Sequence, residues 1–504
     1  MIKTLKQLAG LLPAATIQGR LEQEIRAVAH DSRQVVPGTL FVCLAGVHVD
    51  GHDFIDAAVK QGAVAVLVEK DVPANAFEDI TVIKVADTRK AMQVIVPYFF
   101  DYPGHKLRMI GVTGTNGKTT TTYLIRSILR QAGHKAGLIG TIQTMIGDQV
   151  LPVKNTTPDV IELQSILAEM VDKGMEYVIM EVSSHALALG RVAGCEFDVA
   201  VFTNMTQDHL DFHQTFENYI EAKAELFRSL NKADSKKQGK TAVVNLDDPT
   251  GKTMAANANC PVISYAVNNM AVITADNPAV AATGSSFTIQ GPFGAIPLTL
   301  SITGMFNVYN VLAATGAALA EKIDPAIIRQ ALESFSSVPG RFELVQAGQP
   351  FTVIVDYAHT PDGLENVLKT AKQFATAKII VVFGCGGDRD RTKRPIMGKL
   401  ATVYGDIVLA TSDNPRSEEP GKILEDIEVG IKDALASGHS GKSYQVIIDR
   451  RQAITQAIQL AGPQDVVLIA GKGHETYQIL KDRTIDFDDR QVAREVIREM
   501  KSNA

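Results

Sequence analysis

The stretch Leu107-Arg108-Met109-Ile110-Gly111-Val112-Thr113-Gly114-Thr115-Asn116-Gly117-Lys118-Thr119-Thr120 decides how this chain folds. Leu107 to Val112 reads as a buried strand, and a glycine-rich turn follows it. A helix comes next, with Leu124, Ile125, Ile128 and Leu129 on one face and Gly133 placed to end it. Strand, loop and helix in that order make a phosphate-binding unit. Glycines let backbone N–H groups turn toward phosphate oxygens, Lys118 adds a charge near the β- and γ-phosphates, and the Thr119 hydroxyl can ligate Mg²⁺. The G-x-x-x-x-G-K-T spacing is not met, because Val112 takes the first glycine position between Gly111 and Gly114. A glycine turn that binds nothing is the competing reading. The strand, helix and Lys-Thr pair together favour the phosphate loop.

Working outward, apolar strands recur at Tyr177 to Met180, Val199 to Phe202 and Ala242 to Val244, alternating with helical segments. That alternation implies a parallel sheet with both faces covered, and the stretch Ser285 to Ile302 reads as added antiparallel strands. Upstream, short strands (Leu40 to Leu44, Ala63 to Val68, Thr81 to Val85) mix with helices near Phe54 to Lys60 and Thr88 to Phe100, before Tyr102-Pro103-Gly104-His105 breaks the pattern. Beyond a second linker, Val338-Pro339-Gly340-Arg341, strands are expected at Val353 to Val355, Ile379 to Phe383, Ile407 to Ala410, Gln445 to Ile448 and Val466 to Ala470. The chain therefore reads as an α/β protein of three domains: 1–105, a central phosphate-loop domain with a parallel sheet over 106–338, and a doubly wound, Rossmann-like domain over 339–504.

Composition agrees with an enzyme. Of 504 residues, 45% are apolar and 21% charged, and the net charge of −6 gives no reason to expect nucleic-acid binding. Cys43, Cys195, Cys260 and Cys385 are scattered, which favours free thiols in a reducing compartment. The first twenty residues read as an amphipathic helix ended by Pro13 rather than as a signal peptide, and no apolar run reaches the ~20 residues of a membrane span. The expected location is the cytoplasm.

Several residues beyond the loop could carry chemistry. Glu181 ends a strand where ligands bind in parallel sheets, so it can hold a metal. Equally, it can merely neighbour a helix capped by Ser183 or Ser184. His209 follows another strand, among Asp208, Asp211 and His213. Lys223, taken alone, looks like an exposed helix lysine. Asn231-Lys232-Ala233-Asp234 matches the guanine-reading N-K-x-D pattern of a GTP-binding switch. It follows a helical segment instead of a buried strand, and it reads as a surface turn.

The motifs GTNGKTT (114–120), EVSSHAL (181–187), DHLDFH (208–213), EAK (221–223), GMFNVYNVLAA (304–314), VPGRFE (338–343) and DYAHTPDGL (356–364) come in an order that resembles the Mur ligases, which build the peptide of the bacterial cell-wall precursor. Within the family, HDSR (30–33) and DNPR (413–416) resemble the member that adds the third residue. Folylpolyglutamate synthetase shares this fold and chemistry, but it has no use for an N-terminal UDP-binding domain.

The resemblance implies the following roles. Gly114, Thr115, Asn116, Gly117, Lys118, Thr119 and Thr120 bind ATP, joined by Asn307, Asn310, Arg341, Asp356 and His359. Lys118, Glu181, His209 and Lys223 are catalytic. Thr119, Glu181, His209 and Lys223, the last as a carbamate, serve Mg²⁺. Ser32 in the first domain, with Asn155, Thr156, Thr157, Ser183 and Arg191, contacts the UDP-sugar peptide, where Leu189 stands in place of the Gln of some relatives. Arg389, Asp413, Asn414, Pro415, Arg416, Gly471 and Glu475 bind the incoming amino acid. The implied reaction transfers the γ-phosphoryl group of ATP to the D-glutamate γ-carboxylate, and the amine then displaces phosphate. That amine is lysine or meso-diaminopimelate. They differ by one carboxylate, and a bidentate guanidinium at Arg416 suits diaminopimelate, whereas a lysine substrate would leave it unpaired. The competing role for Arg416 is a surface salt bridge with Glu418 or Glu419. Small-molecule substrates, no nucleic acid, no membrane span and a monomer complete the expectation.

Overall fold

The computed structural model describes residues 1–46, 49–72, 80–231 and 237–502, and it contains three main sheets. The first sheet has five strands in the order Thr16–Gln18, Thr81–Lys84, Ala63–Val68, Thr39–Val42, Ala27–Ala29. All its pairings are parallel except that of Thr16–Gln18. Helix Thr88–Phe99, capped by Asp87, covers one face. The opening helix is shorter than its sequence pattern: it spans Leu5–Ala9 and stops at Gly10, not at Pro13. Leu11 and Leu12 then donate to Leu8 and Ala9 in i→i−3 turns, so the chain tightens and leaves the α-helical path before the proline is reached.

The central sheet has eleven strands. Seven run parallel, with Arg108–Thr113 between Tyr177–Glu181 and Val199–Phe202. Antiparallel strands extend both edges, and Gly284–Gly291 with Gly294–Leu300 form the expected addition. Helices Lys118–Gln131 and Met305–Ala320 bury one face, and Val160–Asp172 and Phe216–Arg228 the other. Leu124, Ile125, Ile128 and Leu129 all sit in that core, and Gly133 takes a positive φ of 89° just past the helix end. Met305–Ala320 is buried on nearly every side, which fits its Ala-rich sequence.

The third sheet has six strands in the order Glu343–Leu344, Thr352–Asp356, Val466–Ala470, Ile379–Phe383, Ile407–Thr411, Ser443–Ile447. Only the short Glu343–Leu344 edge, which the sequence reading omits, is antiparallel. Two apolar clusters cover its faces. The parallel strands deliver Tyr357–His359, Ser412–Arg416 and Gly471–Glu475 to one end of the sheet, the end where α/β sheets bind ligands.

Beneath that end lies a buried ion pair. Arg450 donates to both carboxylate oxygens of Asp489 at 2.7 Å, and both side chains are fully buried. Arg450 also holds the Ala470 carbonyl, pinning the strand that precedes Gly471. Replacing one partner would strand a buried charge. Asp489→Ala is expected to destabilise the third domain by about 3–5 kcal/mol, read as an earlier urea transition. An unchanged transition would contradict the pairing.

Candidate functional site

The phosphate loop is shaped by what its glycines leave out. Gly114 has φ 146°, and a Cβ there would lie 1.9 Å from Thr203 Oγ1. Gly117 has φ 85°, and a Cβ there would lie 2.3 Å from Asn310 Oδ1. Neither position accepts a side chain, so the loop closes tightly between strand Val199–Phe202 and helix Met305–Ala320. Asn204 fixes its backbone: its carbonyl accepts from Thr115 N at 2.8 Å and its side-chain oxygen from Asn116 N at 2.9 Å.

Two lysines meet at this loop. Lys118 Nζ donates to the carbonyls of Gly114 (2.9 Å) and Thr115 (2.8 Å). Lys223 Nζ donates to the same Gly114 carbonyl at 2.8 Å and lies 4.6 Å from the centroid of the Tyr219 ring. Lys223 is only 1% exposed, so the reading of it as a solvent-facing helix lysine is wrong. Helix Phe216–Arg228 turns that residue inward, beside Ala224 and Phe227. Burial, followed by the nearby Lys118 charge, holds the Lys223 ammonium well below the ordinary lysine pKa.

Glu181 faces the loop from the neighbouring strand and is buried. Its Oε2 accepts from Thr119 Oγ1 and Thr141 Oγ1, both at 3.0 Å, and its Oε1 from Thr141 N at 2.8 Å. Ser183 caps helix Ser184–Ala188, so the cap and the inward carboxylate coexist. His209 adopts a left-handed φ of 54°, with its ring edge-on to His185 and its Nε2 3.4 Å from Asp208. Among the described residues no three His, Cys, Asp or Glu side chains converge to hold a metal by themselves. Thr119 and Glu181 do supply two hard oxygen donors side by side, which fits Mg²⁺ held largely by phosphates and water.

The third domain closes on this loop. Asp362 Oδ2 accepts from Asn116 Nδ2 at 2.7 Å and from Thr206 Oγ1 at 2.9 Å. Arg341 donates to Thr119 Oγ1 at 3.3 Å, lies 4.7 Å from the Tyr357 ring centroid, and keeps a buried Nε without a partner. Asn307 and Asn310 are buried and bonded to each other, and Thr121 donates to Asn310. Asp356 accepts from Phe342 N and Ala358 N, and burial raises its carboxyl above the ordinary range against the pull of Arg341. His359 is exposed, and its Nδ1 donates to the Tyr357 carbonyl. His474, packed against Tyr357, is held down to about 3 by burial and the cations around it, and so stays neutral near pH 7.

On the other side of Glu181, Thr157 ties the substrate candidates together. Its Oγ1 lies within hydrogen-bond reach of the Glu181 carbonyl and of both Ser183 N and Oγ, and its carbonyl accepts from Arg191. Thr156 Oγ1 is 3.1 Å from Thr141 Oγ1, while Asn155 is exposed. Ser32 opens a short turn two residues after His30, whose Nε2 lies 3.2 Å from Asp159 across the domain junction. At Leu189 the backbone carbonyl accepts from Gln93 of the first domain.

The third group lies at the third sheet's strand ends. Asp413, Asn414 and Pro415 are buried, and Arg416 has φ 54° with its Nη1 on the Gly387 carbonyl at 2.8 Å. Glu418 pairs with Arg394, and the competing role for Arg416, a salt bridge to Glu418 or Glu419, is not formed among the described residues. Asn414 Nδ2 donates to Glu475 Oε2 at 2.9 Å, Gly471 adopts φ 119° beside Asp413, and Arg389 is exposed on the adjoining loop. Thr141, Asp362, Lys472 and His474 escape the sequence reading. Lys472 alone left a signal there, as a lysine between two glycines directly after a buried strand. Of the N-K-x-D stretch, 232–234 lie outside the described residues.

A phosphate loop capped by the strand ends of a second α/β domain is the architecture of a nucleotide-dependent ligase. Residues 24–99 match the Mur ligase family catalytic domain, 112–318 the Mur ligase middle domain, and 340–473 the Mur ligase glutamate ligase domain. The UDP-N-acetylmuramoyl-L-alanyl-D-glutamate--2,6-diaminopimelate ligase of Geobacillus thermodenitrificans is 50% identical over 98% of this chain and 99% of its own length. The ligase of the same name from Bacillus cereus is 49% identical over 94% of each chain. A solved structure carrying that enzyme name is 32% identical, covers 99% of this chain and 100% of its own, and superposes with a TM-score of 0.68. The chain belongs to the Mur ligase family.

Gly117→Ala tests the loop geometry. The added methyl needs the space of Asn310 Oδ1 and a strained backbone, so phosphate release is expected to fall at least about a hundredfold with circular dichroism unchanged. Turnover near wild type would contradict this placement.

Proposed function

We propose that this chain is an ADP-forming amide ligase that joins meso-2,6-diaminopimelate to the D-glutamate of UDP-N-acetylmuramoyl-L-alanyl-D-glutamate, in peptidoglycan precursor synthesis. One observation carries the reading. Two buried or half-buried lysines and an inward glutamate surround the phosphate loop, and the third domain gathers Asn414, Glu475 and Arg416 at its strand ends. Attacking carboxylate and γ-phosphate are both anions, so the site must first neutralise charge.

Lys118 and the loop N–H groups hold the phosphates, with Thr120 behind them, and Arg341 approaches from the third domain. Asn307, Asn310, Asp356 and His359 line the nucleotide's remaining path. Thr119 and Glu181, with His209 near, would hold Mg²⁺, which would supply neutralisation of the charge that develops on the phosphoryl group. Lys223 is suited to carbamylation: a depressed ammonium yields the free amine that adds to CO₂, releasing a proton and leaving an anion in place of a cation. Ser32, Asn155, Thr156, Thr157, Ser183 and Arg191 bind the UDP-sugar peptide. Glu475, oriented by Asn414, and Asp413 receive the substrate ammonium, and Arg416, with Arg389 near, reads the distal carboxylate. The three domains divide at residues 105/106 and 338/339, and the protein acts as a cytoplasmic monomer. No helix among the described residues is long and apolar enough to cross a membrane.

A phosphate-release assay with an amine panel tests this function. Turnover should require ATP, the UDP-muramoyl dipeptide and meso-diaminopimelate together, and Arg416→Ala should abolish the preference over L-lysine. Equal wild-type turnover of lysine would overturn the specificity, and no turnover with either amine would overturn the function. Lys223→Ala should lose at least about a hundredfold in kcat, with partial rescue by acetate or formate. Full activity in that variant would remove Lys223 from the mechanism.

A further inference from the structure

Lys472 is a fully buried cation, held by acceptors around the amine pocket. Its Nζ donates to Asn414 Oδ1 at 3.1 Å and Glu475 Oε2 at 2.9 Å, and lies 3.7 Å from Asp413 Oδ1. A buried ammonium has three protons to satisfy and persists only with such partners. The arrangement orders everything above it. Asn414 turns its oxygen to Lys472 and to the N–H of Ile479, which forces its amide nitrogen onto Glu475. Both protein donors to Glu475 thus fall on Oε2, and Oε1 remains for a further donor. Asp413 Oδ1 is buried with no hydrogen-bond partner. Two carboxylates share one lysine, and Arg450 below is already paired with Asp489.

We infer that Lys472 is the positioning residue for amine recognition: directly and through the Asn414 amide it sets the Glu475 carboxylate so that its remaining oxygen, together with Asp413, receives the substrate ammonium. This rests on the proposed ligase reading and deepens it. Arg416 would select diaminopimelate by its far carboxylate. Lys472 would govern the ammonium end, which lysine shares.

The test uses the full-length protein, steady-state kinetics for each substrate, and a double-mutant cycle. Lys472→Met, which keeps the stem and removes the charge, should raise KM for meso-diaminopimelate by about tenfold or more, with KM for ATP and for the UDP-muramoyl dipeptide unchanged. Lys472→Gln carries the same expectation if the methionine variant does not fold. In a Glu475→Gln background the Lys472 substitution should add little, because it acts through that carboxylate. An unchanged KM for diaminopimelate, equal losses for all three substrates, or multiplicative effects in the cycle would overturn the inference while wild-type turnover still supports the ligase reading. No wild-type turnover with the amine would overturn both.

Discussion

The carbonyl of Gly114 accepts from two lysines at once, Lys118 and Lys223, and the site is built around that crowding. Two cations on one acceptor repel each other, and the buried one feels it most: Lys223 is driven away from its charged form by burial and by Lys118. A site so arranged favours anions, whether phosphate, substrate carboxylate or a carbamate on Lys223 itself. Glu181, bonded to Thr119, adds the carboxylate that a divalent cation needs on the other side of the loop. The parallel sheet makes this possible, since adjacent strands end at one level and deliver Gly114, Glu181 and Thr203 to the same edge.

The loop is also a docking point. Asp362 reaches Asn116 and Thr206 from one domain to another, and Arg341 reaches Thr119. The turn holding Arg341 is itself locked, because a Cβ at Gly340 would lie 2.0 Å from His474 N. Gly340 thus lies directly against Gly473 and His474, the two residues before Glu475.

Much of this was legible in sequence where residue type and immediate context coincide. The glycine loop, its strand and its helix are local features, and the strands over Ile379–Phe383 and Val466–Ala470 follow from uninterrupted apolar runs. Lys223 was legible only by resemblance. Its helix has polar residues on both sides of it, and nothing local reveals that a distant carbonyl waits above. Asp362 reads as a helix N-terminal acid, a good local role that hides its reach to Asn116. In the opening helix the apolar pattern continues through Leu11 and Leu12, although i→i−3 turns replace the α-helix there. Long-range pairing and turn geometry decided these cases, and neither is encoded by spacing.

In the proposed reaction the loop's charge-neutralising site activates a carboxylate by phosphorylation. The most direct measurement uses UDP-muramoyl dipeptide carrying ¹⁸O in the D-glutamate γ-carboxylate. After turnover with ATP and meso-diaminopimelate, mass spectrometry of the released inorganic phosphate should show one ¹⁸O per labelled carboxylate consumed, because the carboxylate oxygen leaves with the phosphoryl group. Phosphate free of ¹⁸O alongside labelled amide product would contradict the account.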